Sequence, residues 1–408
     1  MYEALSHTIK AQRGNMTAQH SSDIVIVGGG IVGSALAYFL ASFDDGKKVT
    51  VVERNLAPLE GSTGYAPGFV GQFNESEVLT RLAVESVAEY LKVPGGFDHV
   101  GGLEVATSTA GLQNLKWRLQ TARERGLSAE LISPEKAAEM APDLMKDDNE
   151  LALYFPSDGT ANPPTITNFF RSEAGARGAE IIQADVTEIS RGDGRVKGVM
   201  TSSGFIKAQI VILATGIWAR GLCDFEIPVP VIPVAHPYMY GERHETKLYK
   251  SPFVRYPEHH VYARDHGSFF GLGSYDHRPL LEKPKTSAKG TWVEDFDTTL
   301  DRALKLIPEK TRLVPREKFN GIFSMTPDNM PLVGEIPGTG GLYMAAAVWV
   351  THAAGSAKFL SRMIKGEPFD VLVQKALDPS RFSGRDMESL ERESLHCYNS
   401  IYSTHENS

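Results

Sequence analysis

The sequence predicts an α/β fold in which a Rossmann-like dinucleotide-binding domain is interleaved with a second domain rich in antiparallel β-strands. Two observations carry this prediction. A glycine-rich turn joins an apolar strand to a helix within residues 23–54, whereas residues 227–323 contain short alternating strands with many prolines and aromatic residues. The first pattern is typical of a parallel sheet covered by helices, and the second of an antiparallel sheet.

The first predicted strand, residues 23–27, contains at 24–27 an uninterrupted run of β-branched apolar residues that only a sheet covered on both faces can bury. The motif G-x-G-x-x-G follows at once, at Gly28, Gly30 and Gly33, and residues 34–40 have helical spacing. The glycines permit a tight turn, a close approach to a pyrophosphate, and close packing of the helix on the strand. This order predicts a pyrophosphate site at the helix N-terminus.

A second strand, residues 49–52, ends at Glu53, whose carboxylate can accept the hydroxyls of an adenosine ribose. Strand, glycines, helix, second strand and terminal acid therefore occur in the order of a dinucleotide-binding unit. NAD and FAD proteins share this unit, so it leaves the dinucleotide open.

The remaining elements are predicted from apolar spacing and turn residues. Helices are expected over residues 75–93, 112–125, 134–140, from about 165, 292–306 and 351–365, and strands at 181–182, 186–189, 196–201, 209–213, 260–264, 269–273 and 342–348. Gly192-Asp193-Gly194 is the turn of a predicted hairpin. Beyond Phe369 the chain becomes polar and is expected to wrap the surface.

This order predicts a discontinuous arrangement of domains. Residues 1–21 are expected to be a disordered leader, residues 22–95, 155–225 and 325–370 the dinucleotide-binding domain, residues 96–154 and 226–324 the substrate domain, and residues 371–408 a C-terminal tail. A chain of 408 residues is long enough for two such cores.

Composition excludes several classes of function. A formal net charge of −8 argues against a nucleic-acid partner, because no basic excess is available to neutralise phosphates. No apolar run is long enough to span a membrane, so no membrane partner is expected. The two cysteines, Cys223 and Cys397, form neither a disulfide framework nor a metal cluster, which favours a reducing, cytoplasmic location, with a mitochondrial presequence left open.

Several segments resemble the D-amino-acid oxidase (DAO) superfamily of FAD-dependent amine oxidoreductases, and within it the FAD half of dimethylglycine oxidases and sarcosine dehydrogenases. They are GGGIVG at 28–33, STGYAPGFVGQ at 62–72, VGGLEVAT at 100–107, PSDG at 156–159, VAHPY at 234–238, GSYDHRP at 273–279, NGIFSMTPDNMPLVGE at 320–335 and VWVTHAAG at 348–355. The resemblance spans nearly residues 22–383. It implies FAD as cofactor and a FAD-binding domain of the glutathione-reductase type.

Cofactor-binding residues are predicted from these motifs together with the strand ends. They are Gly28, Gly30, Ile31, Val32, Gly33, Glu53, Arg54, Ser62, Thr63, Gly64, Tyr65, Phe69, Val186, Gly216, Trp218, Tyr262, Trp349, Val350, Thr351 and His352. Thr351 and His352 are expected against the flavin ring. Trp218, Tyr275 and Trp349 are either core aromatics or walls of an amine pocket, and the sequence leaves both interpretations open.

Tyr65 departs from the family pattern. Members of the dimethylglycine type carry at this position a histidine that bonds the flavin covalently. The sequence therefore predicts non-covalent FAD, because a tyrosine ring can stack on the flavin without bonding to it.

The catalytic prediction concerns His236, Tyr262 and Arg264. His236 in VAHPY and Tyr262 in VYARD match positions that pair near the flavin, which implies roles in deprotonating and orienting the substrate. His236 alone would more often be a structural loop histidine. Arg264, and with less support Arg255 and Arg278, are candidates for a substrate carboxylate.

No metal site is predicted. His259, His260, His266 and His277 lack the spacing of a fixed ligand set and are expected to be exposed loop histidines.

The resulting functional hypothesis is FAD-dependent oxidation of a secondary or tertiary N-methyl amine or amino acid. Hydride would pass to the flavin, and the iminium would hydrolyse and release formaldehyde, since no folate-binding half is seen to follow. Oxygen, which would yield hydrogen peroxide, and an electron-transfer flavoprotein stay open as electron acceptors. The alternatives are an oxidase of a larger N-methylated metabolite and a catalytically silent flavin-binding protein.

Overall fold

The computed structural model describes residues 20–41, 46–222, 224–246, 250–311 and 313–401. Residues 1–19 of the predicted leader, Cys223 and residues 402–408 of the predicted tail lie outside this part of the chain.

Helices and strands alternate over the first half of the chain. In chain order the helices are α1 (Ile31–Leu40), α2 (Ser62–Tyr65), α3 (Glu77–Tyr90), α4 (Thr109–Glu124), α5 (Pro134–Met140), α6 (Pro163–Ala176), α7 (Asp295–Leu304), α8 (Ala353–Lys365), α9 (Val371–Leu377) and α10 (Met387–Asn399). Short 3-10 turns cover Gly216–Trp218, Pro257–His259, Glu309–Thr311, Val350–His352 and Pro379–Phe382.

The strands form separate parallel and antiparallel sheets. In chain order they are β1 (His20–Ser21), β2 (Ile24–Val27), β3 (Val49–Glu53), β4 (Phe69–Val70), β5 (Phe97–Asp98), β6 (Gly102–Val105), β7 (Glu130–Ile132), β8 (Ala152–Phe155), β9 (Gly159–Ala161), β10 (Glu180–Gln183), β11 (Val186–Gly192), β12 (Arg195–Thr201), β13 (Gly204–Lys207), β14 (Ile210–Leu213), β15 (Ile232–Arg243), β16 (Phe253–Tyr256), β17 (Val261–Asp265), β18 (Phe269–Ser274), β19 (Lys289–Gly290), β20 (Pro315–Met325), β21 (Leu332–Glu335) and β22 (Leu342–Ala346).

The parallel sheet has the order β10-β3-β2-β14-β22, with β21 added antiparallel at one edge. Its central strand β2 is buried on both faces because its side chains alternate between two cores. Ile24 and Ile26 pack into the core on the face covered by α1, α3 and α8, and Val25 and Val27 into the core beneath β11, β12 and β13. Burial on both faces of the sheet thus explains the uninterrupted apolar run of β2, as expected.

The second large sheet has the order β19-β20-β15-β18-β17-β16-β6-β8-β7 and is antiparallel except between β16 and β6. The long strands β15 and β20 pair along most of their length, from Ile232 opposite Met325 to Gly241 opposite Pro315. Smaller sheets have the orders β1-β13-β12-β11 and β4-β9-β5. The predicted combination of a Rossmann-like unit and an antiparallel β-rich unit is therefore confirmed.

Most predicted elements occur with small shifts at their ends. Helix α5 matches residues 134–140, and Ser133, a residue type favoured at helix N-caps, accepts a hydrogen bond from the Lys136 N–H. The hairpin turn has positive φ angles at Asp193 (53°) and Gly194 (70°), as a type I′ turn requires.

Two expectations about the chain ends are wrong. His20 and Ser21, assigned to the leader, form β1 beside β13. The segment beyond Phe369 is not merely a surface wrap, because α10 places Tyr398 at 0% exposure against Ile232, Val234 and Tyr275. Because most residues of this segment are polar, its sequence does not indicate that one face of α10 is buried. None of the helices in the described ranges is long and apolar enough to cross a bilayer.

Candidate functional site

A cavity of about 390 Å³ opens at the carboxyl edge of the parallel sheet. Residues from successive strand ends line it: Gly28 after β2, Glu53 of β3, Asp185 after β10, Thr215 after β14 and Ala347 after β22. Ligands of open parallel sheets bind at this edge, where the chain order reverses around the first strand. The antiparallel sheet closes the far end of the cavity through β15 and β20.

The glycine turn has the conformation that its sequence predicts. Gly28 has φ +103°, and a Cβ there would lie 2.4 Å from the carbonyl oxygen of Ala214. A Cβ on Gly33 would lie 1.9 Å from the carbonyl oxygen of Gly28, so helix and strand are in direct backbone contact. Gly30, the N-cap of α1, lines the cavity and has no side-chain cap. The N-terminus of α1 therefore presents its positive end to the cavity.

The carboxylate of Glu53 stabilises this turn through two hydrogen bonds. Its Oε2 accepts a hydrogen bond from the Gly29 N–H at 2.6 Å, and its Oε1 accepts one from the Asn55 N–H at 3.0 Å. Arg171 donates to the carbonyl oxygen of Gly29 at 2.7 Å, and its positive charge is attracted to the carboxylate of Glu53. Each carboxylate oxygen has a second lone pair, so Glu53 can also accept from a ligand in the cavity.

Arg54 and Trp218 form one wall of the same end. The guanidinium carbon of Arg54 lies 3.8 Å from the centroid of the Trp218 ring. Arg54 also donates to the carbonyl oxygen of Thr286 at 2.7 Å, and Trp218 donates to that of Pro284 at 3.0 Å. Trp218 is therefore neither a core aromatic nor a wall of an amine pocket, because it lines the end of the cavity beside Arg54.

The predicted flavin loop forms helix α2. Thr63 accepts from the Ile31 N–H at 3.1 Å, and Ser62 donates to the carbonyl oxygen of Ile322 at 2.9 Å, so the loop links α1 to β20. Tyr65 is half-buried in the cavity wall, with its hydroxyl 3.0 Å from Oγ of Ser287. Gly64 does not line the cavity and instead packs on the backbone of Leu59.

At the far end, His236 lies on β15 with only 2% of its surface exposed. Its Nε2 is hydrogen-bonded to the Tyr262 hydroxyl, and its Nδ1 lies 2.7 Å from the Tyr398 hydroxyl. The Tyr398 hydroxyl in turn lies 2.8 Å from Nε2 of His277. Burial holds the pKa of His236 well below its ordinary value, and nearby His277 lowers it further, so the imidazole is neutral.

The structure brings the predicted pair His236 and Tyr262 together, but only His236 lines the cavity. Tyr262 is 2% exposed and lies behind this wall, with its ring edge-on to Phe69 at 4.5 Å between centroids. Phe69 likewise does not line the cavity.

Arg264 does not occupy the position expected for a substrate-binding residue. It is 7% exposed, and its Nη1 donates to the carbonyl oxygens of Pro67 at 2.6 Å and Ala161 at 3.1 Å. It is absent from the cavity wall. This guanidinium instead joins the loop before β4 to β9, away from the cavity in which a substrate carboxylate was expected to meet it.

The segment before α8 contributes less of the wall than expected. Trp349 and Val350 line the cavity, so Trp349 is a wall residue, whereas Tyr275 packs behind His236 at 4.4 Å between ring centroids. Thr351 donates to the carbonyl oxygen of Phe69 at 3.1 Å, and His352 is buried away from the cavity. The 3-10 turn over Val350–His352 directs these two side chains into the protein interior and away from the cavity.

The remaining histidines also differ from expectation. Of the four loop histidines expected to be exposed, His259 is exposed, whereas His260, His266 and His277 are partly buried. His266 lies with its Nε2 2.9 Å from the hydroxyl of Tyr238, which lines the cavity two residues after His236 on the same face of β15. Because residues two apart on a strand share a face, the prediction of His236 as a site residue could have identified Tyr238 from the sequence as well. Within the described ranges, no group of three or more His, Cys, Asp or Glu could hold a metal.

The cavity suits FAD by its chemistry. One end combines a helix N-terminus with an acidic strand end, as an ADP group requires, and the other is lined by Tyr65, Phe323 and Trp349, as a flat conjugated ring requires. The hydroxyl of Thr215, at the cavity edge of β14, is buried without a hydrogen-bond partner in the protein. A polar ligand group in the cavity would satisfy it.

Comparisons with known proteins agree with this assignment. Human mitochondrial dimethylglycine dehydrogenase is 30% identical over 394 residues, which cover 88% of this chain and 44% of that protein. The 4-methylaminobutanoate oxidase (formaldehyde-forming) of Paenarthrobacter nicotinovorans is 26% identical over 379 residues, covering 88% of this chain and 45% of that protein. The chain thus spans somewhat less than half the length of these relatives.

The fold is also similar to that of L-proline dehydrogenase from P. horikoshii, with a TM-score of 0.80 and 25% identity over 90% of this chain and 98% of that one. Residues 23–363 match the DAO family described as FAD dependent oxidoreductase. This match begins just before the glycine turn and ends within α8, so it includes both ends of the cavity. The chain therefore belongs to the DAO family of FAD-dependent oxidoreductases.

Proposed function

We propose that this protein oxidises a secondary or tertiary N-methyl amine or amino acid. FAD, when bound, accepts a hydride equivalent from the carbon next to nitrogen. The substrate loses this hydride and becomes an iminium, R₂N⁺=CH₂, and water then adds to its carbon. The products are the demethylated amine R₂NH, formaldehyde and one proton.

The observation that carries this proposal is the neutral, buried His236 at the aromatic end of the cavity, hydrogen-bonded to Tyr262. Amine oxidation needs the nitrogen unprotonated, and Nε2 of the neutral imidazole can accept its proton once the Tyr262 hydroxyl turns away from it. The apolar wall contributes as well, because a low dielectric disfavours an ammonium ion relative to the free amine. We propose Tyr262 as the residue that orients His236.

The relatives support the reaction class. By their names, one dehydrogenates dimethylglycine and the other oxidises 4-methylaminobutanoate with formation of formaldehyde. We further propose non-covalent FAD, since Tyr65 stands where the resemblance expects the linking histidine. Oxygen or an electron-transfer flavoprotein would reoxidise the flavin, and the proposed compartment is the cytoplasm.

A second candidate, oxidation of a larger N-methylated amine without a carboxylate, is favoured by the position of Arg264. Its guanidinium is engaged with backbone carbonyl oxygens, and the side chains at the far end of the cavity are His236 and aromatics such as Tyr238 and Phe319. Aromatic side chains can bury the apolar groups of a larger amine. A small amino acid would instead need a cation for its carboxylate.

Anaerobic mixing of the FAD-loaded protein with a set of amines tests both candidates. Dimethylglycine, sarcosine and 4-methylaminobutanoate represent the carboxylates, and N,N-dimethylphenethylamine represents the larger amines. Bleaching of the flavin absorbance with one formaldehyde per flavin supports the function, and the series that bleaches faster identifies the class. Glycine betaine is the control, because its nitrogen has no lone pair. Failure of every amine to bleach the flavin would favour a catalytically silent flavin-binding protein.

A further inference from the structure

The C-terminal helix supplies a side chain to the hydrogen-bond network of His236. The Tyr398 hydroxyl lies between two imidazoles, 2.7 Å from Nδ1 of His236 and 2.8 Å from Nε2 of His277. We propose that Tyr398 and His277 are positioning residues that hold His236 in the tautomer whose Nε2 carries no proton. This inference rests on the proposed function for its catalytic meaning, but its structural content can be tested separately.

The far end of the network sets its direction. Nδ1 of His277 lies 2.8 Å from the carbonyl oxygen of Arg278, and a carbonyl oxygen only accepts hydrogen bonds. Nδ1 of His277 therefore carries the proton. Burial lowers the pKa of His277, so its imidazole is neutral and its Nε2 accepts. The Tyr398 hydroxyl must then donate to His277.

The direction of the Tyr398 hydroxyl also fixes the proton on His236. Because a hydroxyl has a single proton, the oxygen of Tyr398 can only accept from Nδ1 of His236. Nδ1 of His236 is thus protonated, and Nε2 of this neutral ring is the acceptor that faces the Tyr262 hydroxyl. Tyr262 donates to it and keeps oxygen lone pairs that can accept from another group. The backbone carbonyl of Arg278 therefore determines which nitrogen of His236 is basic.

Helix α10 is held firmly enough for this role. Asn399, at its last residue, donates to the carbonyl oxygens of Tyr275 at 2.7 Å and His277 at 2.9 Å. Cys397 donates to the carbonyl oxygen of Pro327 at 3.0 Å. Tyr398 itself is 0% exposed. Both the helix end and the loop that bears His277 are therefore fixed relative to β15.

Reversal of the network would require a protonated His277. Both nitrogens of His277 would then donate, Tyr398 would donate to Nδ1 of His236, and Nε2 of His236 would carry the proton. Substitutions that remove the acceptor at position 277 should produce the same reversal. Glutamine, which has both an amide donor and a carbonyl acceptor, should preserve the original direction.

The test is ¹⁵N NMR of the FAD-loaded protein with labelled histidine, without substrate, in which ring nitrogens with and without a proton have distinct shifts. The His236 signals are assigned by their loss in His236→Gln. We expect Nδ1 protonated and Nε2 bare in the wild type and in His277→Gln. His277→Leu should move the proton to Nε2, and Tyr398→Phe should abolish the preference. Tyr256→Phe is the matched control, because it removes a buried hydroxyl that donates to the carbonyl oxygen of Leu144.

Nε2 protonated in the wild type would overturn the proposal even if no variant folds. A tautomer unchanged in both His277→Leu and Tyr398→Phe would also overturn it. With an amine that bleaches the wild type, Tyr398→Phe should slow flavin reduction by about tenfold, as expected for the loss of one buried hydrogen bond, while Tyr256→Phe should not. If no amine bleaches the wild type, the proposed function fails while the tautomer result stands.

Discussion

The Tyr398 hydroxyl lies 2.7 Å from Nδ1 of His236, although 162 positions separate the two residues. This contact connects the last described helix to the candidate catalytic histidine. It depends on Asn399, which anchors the helix end to the backbone around Tyr275 and His277. The site is therefore assembled from β15, β17, the loop after β18, and α10, and shortening the chain before α10 would remove part of it.

The first prediction concerns the coupling of His236 and Tyr262. His236→Gln should slow flavin reduction by about 10²–10⁴-fold, the range for loss of a general base, and Tyr262→Phe should also slow it. Because the two side chains share a hydrogen bond, the double variant should be faster than the product of the single effects implies, with a coupling of about 0.5–3 kcal/mol. Stopped-flow reduction rates of the four proteins measure this coupling.

Tyr256→Phe is a suitable control, because Tyr256 lies on neighbouring β16 and its hydroxyl donates to backbone rather than to His236. Multiplicative effects of the two single changes would show that the pair does not act as a unit. Unchanged reduction rates in both single variants would remove both residues from the proposed reaction.

Local patterns predicted the conformation of the segment proposed to bind the dinucleotide. The strand, glycine turn and acidic strand end lie within residues 23–54, and each has a steric or electrostatic cause that can be read locally, such as the close contact of Gly33 with the carbonyl oxygen of Gly28. The same holds for the cap at Ser133. In these places the sequence signal and the structural cause occupy the same few residues.

Contacts between distant segments could not be predicted in this way. Arg264 has the chemistry of a carboxylate ligand, but its partners, the carbonyl oxygens of Pro67 and Ala161, are set by the packing of β4 against β9. His266 and His277 resemble exposed loop histidines until Tyr238 and Tyr398 are brought beside them. No local pattern around Tyr398 indicates its burial, because polar residues surround it.

The second prediction concerns Glu53 and cofactor affinity. Glu53→Ala leaves the Gly29 and Asn55 N–H groups without their acceptor and removes the proposed ribose ligand. The dissociation constant of FAD should rise at least about tenfold, as expected for loss of charged hydrogen bonds. Titration of the apoprotein with FAD, followed by flavin fluorescence, measures this constant. Glu173→Ala, on the outer face of α6, should bind FAD as the wild type does, and an equally small effect of Glu53→Ala would argue against the ribose role.

The third prediction concerns the attachment of FAD. Tyr65 lies in the cavity wall with its hydroxyl 3.0 Å from Ser287. If the cofactor is held only by non-covalent contacts, acid precipitation should release all flavin into the supernatant. Tyr65→Phe should behave in the same way. Flavin retained in the wild-type pellet but released from the Tyr65→Phe pellet would instead identify Tyr65 as the attachment residue.

The fourth prediction links the stability of the fold to the protonation of His352. Burial lowers the pKa of His352 from its ordinary 6.5 to about 3. Above pH 6.5 the ring is neutral in both the folded and the unfolded chain, and the stability associated with it is fully present. Between pH 6.5 and 3 the unfolded chain binds a proton at this ring and the folded chain does not. The free energy of unfolding should therefore fall as the pH falls through this window.

At pH 5 this contribution amounts to a loss of about 2 kcal/mol relative to pH 7, since each pH unit within the window is worth about 1.4 kcal/mol. His352→Asn has no titrating ring, so its free energy of unfolding should decrease by about 2 kcal/mol less than that of the wild type between these pH values. Subtracting the decrease of His352→Asn from that of the wild type removes the contribution of the other titrating groups, which the two proteins share. Urea unfolding with the same FAD concentration measures it, and Thr351→Ser, in the same turn, should retain the wild-type decrease. Equal decreases in the wild type and His352→Asn would mean that the folded chain accommodates a charged His352.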